Sequence, residues 1–191
     1  MVAFIVENPE RYVKLDVIEY AFFESSIGTI SLVSRNKKIV ALDIHSKNLY
    51  EAKKRLVALY PDGNESEQSF KTIRFLLDKY LKGEKVDFDM EIDISGESPF
   101  TQKVLRELRK IPYGEVRSYS WIGKRLGYEM AARAVGQAAK RNPILIIIPC
   151  HRVIAEGGKL GGFSSGIEIK KRLLGLEGVL KGGERVGPVL T

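Results

Sequence analysis

The sequence predicts an α+β protein in two parts: a small amino-terminal α+β domain, residues 1–95, and a mainly helical carboxyl-terminal domain, residues 96–191, carrying a helix-turn-helix. Three observations lead there. Short β-branched and aromatic runs crowd into residues 17–44, whereas later segments show apolar residues at helical spacing. Ser95-Gly96-Glu97-Ser98-Pro99 is a polar break followed by a helix start. Charge divides at the same place: residues 1–95 hold 14 Lys and Arg against 16 Asp and Glu, net −2, and residues 96–191 hold 17 against 8, net +9.

Residues 1–14 carry no pattern that assigns them. Strands are predicted at 17–23, 29–34 and 38–44, with Gly28 and the Arg35-Asn36-Lys37 group supplying the turns. Asn48 is a candidate cap for a helix to residue 60, with Leu49, Ala52, Leu56 and Leu59 at helical spacing, and Pro61-Asp62-Gly63-Asn64 ends it. A second helix, 67–81, carries Phe70, Ile73, Leu76, Leu77, Tyr80 and Leu81 inward and stops at Gly83. Residues 86–94 alternate apolar with acidic, the pattern of a half-exposed strand.

Ser98 and Pro99 open a helix to about residue 111, with Phe100, Val104, Leu105, Leu108 and Ile111 inward, and Pro112-Tyr113-Gly114 breaks it. Two short helices follow, at 118–126 and 131–141, joined through Gly127; this is the helix-turn-helix. The second is slim: Ala131, Ala132, Ala134, Gly136, Ala138 and Ala139 leave little bulk on it. One face of small residues suits close packing on a neighbouring helix, and an exposed one would let the helix enter a narrow groove. Arg133 projects from it.

Residues 144–148 are a continuous apolar run, Ile-Leu-Ile-Ile-Ile, expected as a buried strand or extended core segment and stopped by Pro149. Cys150, the only cysteine, comes next, followed by His151 and Arg152. An isolated cysteine is most often a small buried hydrophobe. Here two cationic or potentially cationic neighbours favour the thiolate, the form that attacks.

Composition narrows the classes. With 44% hydrophobic and 29% charged residues the chain reads as a soluble globular protein. No apolar run approaches the roughly 20 residues of a membrane helix, so no membrane partner is expected. The start, MVAFIVENPERYVK, lacks the basic n-region of a secretory signal. One cysteine allows no intramolecular disulfide, which suits a cytoplasmic location. His45 is the only histidine of the first half, so no His/Cys metal site is expected there. The net charge of +9 on the half with Cys150 points to a phosphate backbone as partner. Scarce Asn (5) and Gln (3) beside abundant Lys (18) and Glu (17) point to a heat-adapted source.

Ile148-Pro149-Cys150-His151-Arg152-Val153-Ile154 resembles the active-site signature of the O6-alkylguanine-DNA alkyltransferase family. So do Gly161-Gly162-Phe163-Ser164-Ser165-Gly166 and the helix to Glu177 downstream. Upstream, Phe100-Thr101, Pro112-Tyr113-Gly114-Glu115-Val116, Ser118-Tyr119, Ala131-Ala132-Arg133-Ala134-Val135-Gly136 and Asn142-Pro143 match too. The resemblance is dense over residues 96–180. In the first 95 residues it is one of general plan, implying a ribonuclease-H-like domain.

The resemblance implies a function. A monomer would bind double-stranded DNA through the minor groove with the helix bearing Ala132, Arg133, Ala134 and Gly136. Arg133 would fill the base stack while an alkylated guanine is extruded, a step that chemistry on a stacked base requires. Tyr119 would contact the flipped nucleotide. Phe163, Ser164, Ser165, Val153 and Leu145 would form the pocket, with Phe163 where relatives often have tyrosine and Leu145 where many have proline. Cys150 would attack the alkyl carbon on O6 of guanine, or O4 of thymine. His151 would polarise it through a water, Glu177 would orient His151, and Asn142 would tie the turn. Arg152 could support the thiolate or pair near Glu177. The product thioether has no route of cleavage here, so one transfer per molecule is expected, with no metal or organic cofactor. A thiol hydrolase would need an oxyanion hole and turnover. A damage-binding relative without transfer would lack the cysteine, and a regulator fused to this module would carry a cysteine-rich metal domain.

Overall fold

The computed structural model of the protein describes residues 16–45, 49–181 and 185–186. Residues 1–14, and the cap expected at Asn48, lie outside the described residues. Three antiparallel strands, β1 (Ile18–Ser25), β2 (Gly28–Arg35) and β3 (Lys38–His45), form the sheet, and the two-residue β4 (Asn64–Glu65) adds in parallel beside β1. Asn36 and Lys37 turn β2 into β3 with both φ values positive, 51° and 66°, the geometry that matches strand twist in a two-residue hairpin.

Both faces of the sheet are covered. Helix α1 (Leu49–Leu59) lays Ala52 and Leu56 on Tyr20, Phe22 and Val33. The other face, with Ile30, Leu32, Leu42 and Ile44, meets Phe70, Ile73, Leu77 and Tyr80 from α2 (Lys71–Leu81) and its preceding turn. The same hydrophobic core continues into Val104, Leu105 and Leu108 of α3 (Pro99–Leu108), Val135 of α5 (Ala132–Lys140) and residues 144–148. The sheet and the helical part therefore share one apolar interior, and no solvated seam separates the site from the sheet.

Ser98 caps α3, its hydroxyl accepting from the Thr101 amide, with Pro99 at the first position. The predicted helix-turn-helix is present as α4 (Tyr119–Arg125) and α5, which pack on each other and on α3. Gly123 permits the tight turn between them: a Cβ there would come 2.8 Å from the Tyr128 carbonyl. A two-residue strand β5 (Arg117–Ser118) pairs in parallel with β6 (Val153–Ile154), and α6 (Ile167–Leu176) closes the chain toward β7 (Leu180–Lys181) and β8 (Arg185–Val186).

Two expectations are corrected. Residues 144–148 are buried but form no strand; only Ile144 bridges Leu42 of β3, and the rest turns tightly. Residues 86–94 alternate buried and exposed as expected, yet only Ile92 bridges Ile39. In both cases the apolar pattern reports burial, while the backbone groups find partners other than a ladder.

Candidate active site

The segment carrying Cys150 is held at both ends of a tight turn. Leu42 of β3 donates its amide to Pro143 and accepts from Leu145, both at 2.9 Å, which stitches the segment to the sheet. Beyond that bridge the chain reverses with Ile146 at φ 68°, an unusual conformation for a β-branched residue. Asn142 secures the reversal from inside: its Oδ1 accepts from the Ile144 amide at 3.0 Å and its Nδ2 donates to the Ile148 carbonyl at 2.7 Å. The same Nδ2 lies 3.1 Å from Cys150 Sγ. Asn142 is thus beyond the helix end, and one amide fixes both the turn and the sulfur.

Cys150, His151 and Arg152 form a single 3-10 turn, all buried. His151 Nε2 sits 2.9 Å from Glu177 Oε1. Arg152 grips the same carboxylate through Nε (2.9 Å to Oε2) and Nη2 (2.9 Å to Oε1), while its Nη1 donates to the Ile111 carbonyl at 2.7 Å. Tyr80 of α2 donates to Glu177 Oε1 at 2.6 Å and lies 3.1 Å from His151 Nε2. The Gly114 amide completes the set at 3.2 Å. Of the two positions open to Arg152 from the sequence, it takes the one on Glu177. His151 Nδ1 is buried with no hydrogen-bond partner among the described residues.

Burial works to raise the Glu177 carboxyl, but its bonds from His151 and Arg152 outweigh that and hold it at about 2. Burial pushes the His151 imidazole below its ordinary value against the pull of Glu177, so the ring is neutral. Burial also drives the Cys150 thiol up to about 11, opposed by the Asn142 bond and the Lys170 charge. In the resting protein, therefore, neither neighbour sets a free positive charge beside the sulfur. Arg152 is spent on Glu177, His151 carries no charge, and the sulfur keeps its proton at neutral pH.

Above the sulfur lies a cavity of about 460 Å³, lined by Cys150, Tyr119, Ala132, Arg133, Gly136, Phe163 and Ser164 together with Gln137, Ala139, Lys140 and Gly162. Arg133 is exposed on its rim. The Tyr119 ring lies between two glycines: a Cβ on Gly136 would sit 3.7 Å from it, and one on Gly161 3.1 Å from its hydroxyl. Burial, then proximity to Cys150, raises the Tyr119 phenol, so it stays an O–H donor. Three predicted pocket residues are not on the wall: Leu145 and Val153 are buried, and half-buried Ser165 turns its hydroxyl toward Asp43 of β3, 3.5 Å away. Ala134, expected on the DNA-binding face of α5, is exposed and does not line the cavity.

Tyr80 and Lys170 beside the Cys150 turn, and Gln137 and Lys140 on the cavity wall, are not singled out by the sequence. Tyr80 reads there only as one more apolar position of α2. Lys170 is fully buried on α6, donating to the Val153, Leu160 and Gly162 carbonyls, with burial lowering it to about 8. A lysine adjoining Ile169 and four residues before Leu174 interrupts the inward face of that helix, and this is a readable signal.

Comparison with known proteins places the chain. The family model described as the ribonuclease-like domain of 6-O-methylguanine DNA methyltransferase matches residues 18–94, and that of its DNA binding domain matches residues 99–179. A methylated-DNA–protein-cysteine methyltransferase of Methanosarcina acetivorans is 42% identical over 160 residues, 83% of this chain and 97% of that protein. One of Metallosphaera sedula is 43% identical over 165 residues, 86% and 96% of the two chains. The crystal structure of the Mycobacterium tuberculosis O6-methylguanine methyltransferase superposes with a TM-score of 0.72 at 36% identity, covering 84% of this chain and 93% of that one. Mycobacterium tuberculosis OGT in complex with DNA gives 0.71 at 36% identity over 83% and 92%. With two family models covering it in series and relatives matched over most of their length, the chain belongs to the 6-O-methylguanine DNA methyltransferase family.

Proposed function

We propose that this protein repairs DNA by direct reversal, extruding an O6-alkylated guanine, or an O4-alkylated thymine, from the duplex into the cavity and taking the alkyl group onto Cys150 in one irreversible transfer. The observation that carries the reading is the position of the only cysteine, on the wall of a cavity rimmed by Arg133 and backed by a buried His151–Glu177 pair. The relatives' name and the neighbour solved with DNA support the substrate class.

The chemistry follows from the protonation states. Tyr80 and Glu177 both face His151 Nε2, so Nε2 carries the ring proton and Nδ1 is the free base. Through one water, Nδ1 takes the proton of the Cys150 thiol. The sulfur forms its bond to the alkyl carbon in line as the carbon–O6 bond breaks. Guanine leaves with the electron pair and takes a proton from the Tyr119 hydroxyl, the phenol regains one from solvent, and His151 releases the former thiol proton to water, so both side chains return to their neutral forms. Thiol and O6-alkylguanine thus become thioether and guanine, and the thiol is consumed. A buried neutral thiol suits single use, because it stays unreactive until a substrate fills the cavity. Slim α5 enters the minor groove, with Arg133 taking the place of the extruded base. The protein is read as a cytoplasmic monomer whose two parts meet at residues 95 and 96.

Intact mass after incubation with duplex DNA containing O6-methylguanine tests the proposal. The expected gain is one methyl per chain, on Cys150, with Cys150→Ala binding DNA and gaining nothing; continued turnover on one protein molecule overturns it. Arg133→Ala is expected to slow repair of duplex DNA by roughly tenfold or more, the cost of unstacking no longer being offset, while reaction with free O6-alkylguanine is unchanged. Equal losses on the two substrates refute the role of Arg133 in extrusion.

A further inference from the structure

We propose that Tyr80 is a positioning residue for the transfer: its phenol oxygen and Glu177 form a two-acceptor seat for His151 Nε2–H, which leaves Nδ1 as the ring atom able to take the thiol proton. This rests on the alkyl-transfer reading and adds to it a residue from helix α2, outside the segment that carries the signature around Cys150.

A phenol has one proton, and Tyr80 spends it on Glu177 Oε1 at 2.6 Å. Toward His151, at 3.1 Å, its oxygen can then only accept. Nε2 faces two acceptors and must be the protonated nitrogen, which in a neutral imidazole leaves Nδ1 bare. Glu177 alone would hold the ring less firmly. Its Oε1 also receives Arg152 Nη2 at 2.9 Å and Arg152 Nε at 3.2 Å, and an oxygen with two lone pairs cannot serve four donors equally. The Tyr80 oxygen gives Nε2–H a second acceptor besides that shared atom.

The surroundings fix Tyr80 in this role. It is fully buried, and its ring meets Phe88, Tyr113 and His151 edge-on at 5.8, 6.1 and 6.5 Å between centroids. The charged groups facing the imidazole are Glu177, Arg152 and Lys170. Burial and then Glu177 raise the Tyr80 phenol well above its ordinary value, so it remains the neutral donor and never delivers a proton itself.

The chain has only two histidines, and His45 Nε2 is bonded to Ser31 Oγ at 2.9 Å, so ring-nitrogen NMR of the full-length protein resolves His151 against one internal control. In the wild type, His151 is expected to show a protonated Nε2 and an unprotonated Nδ1. In Tyr80→Phe both nitrogens should move toward the average of two tautomers with His45 unmoved, and methyl transfer should slow about tenfold, as for one lost hydrogen bond at a charged centre. Should the phenylalanine variant not fold, 3-fluorotyrosine at position 80 keeps the ring and weakens the oxygen as an acceptor, and it should shift His151 in the same sense. A protonated Nδ1 in the wild type overturns the inference, as does a variant with unchanged ring signals or unchanged rate. A wild type that shows the stated tautomer yet transfers no methyl overturns the alkyl-transfer reading instead.

Discussion

Glu177→Gln is expected to melt far below the wild type at neutral pH. The carboxylate has no solvent-exposed surface on its side chain and accepts from Tyr80, His151, Arg152 and Gly114. Glutamine keeps one acceptor oxygen, places an amide donor among donors and removes the charge that balances Arg152. Breaking a buried pair by removing one partner costs roughly 3–5 kcal/mol, since the other charge stays buried. For a chain of this size each kcal/mol moves the melting point by about 2–4 °C, so a fall of about 10 °C is expected.

The wild type should show the same interaction in its acid response. Glu177 titrates at about 2 in the folded protein, below the ordinary 4.5. A depressed carboxyl contributes stability that is complete above its unfolded value and is lost as pH falls through the folded one. The wild type therefore loses this part between pH 4.5 and about 2. Glu177→Gln has none of it to lose, so the two melting curves should converge in acid. Parallel curves from pH 7 to pH 3 sink the assignment of the destabilisation to lost charge.

How much of this was legible depends on whether the interactions are local. The hairpin at Asn36 and Lys37, the Ser98 cap and the two short helices follow from neighbouring residues, and they stand where turn chemistry and capping put them. Cys150, His151, Asn142 and Glu177 were named from motif resemblance, and the structure joins them through bonds spanning 8 to 26 residues. Tyr80 was not, because its bond to Glu177 spans 97 residues and nothing local separates it from Leu77 or Ile73. The apolar run at 144–148 predicts burial correctly, but in place of the strand or extended segment expected there the chain turns tightly after one bridge at Ile144. Periodicity reports which side chains are dry, not what satisfies their backbone, and here a side-chain amide serves Ile144 and Ile148. Arg152 stays open between the thiolate and the neighbourhood of Glu177 for a related reason: adjacency in sequence does not reveal which charge claims it, and the structure puts it on Glu177.

Asn142→Ala is the second large effect, and it separates stability from reactivity. The substitution leaves the buried Ile144 amide without the acceptor that Asn142 Oδ1 provides, and removes one of two donors at the Ile148 carbonyl, which keeps the Cys150 amide at 2.8 Å. An unsatisfied buried donor costs about 1–3 kcal/mol, and the lost side chain leaves a void besides. The turn also holds Ile146 at φ 68°, a conformation that surrounding bonds must maintain. A loss of roughly 2–4 kcal/mol is expected, read as a lower melting point with hydrogen exchange accelerated across residues 142–150. The sulfur responds in addition. The Asn142 bond favours the thiolate, so without it the thiol moves further above its present value of about 11. The rising limb of the pH–rate profile for methyl transfer should then shift to higher pH. A structural defect alone would lower the rate at every pH equally. A variant that melts lower but keeps the wild-type pH profile would mean that Asn142 holds the turn without tuning the sulfur; an unchanged melting point would mean that the turn stands without it.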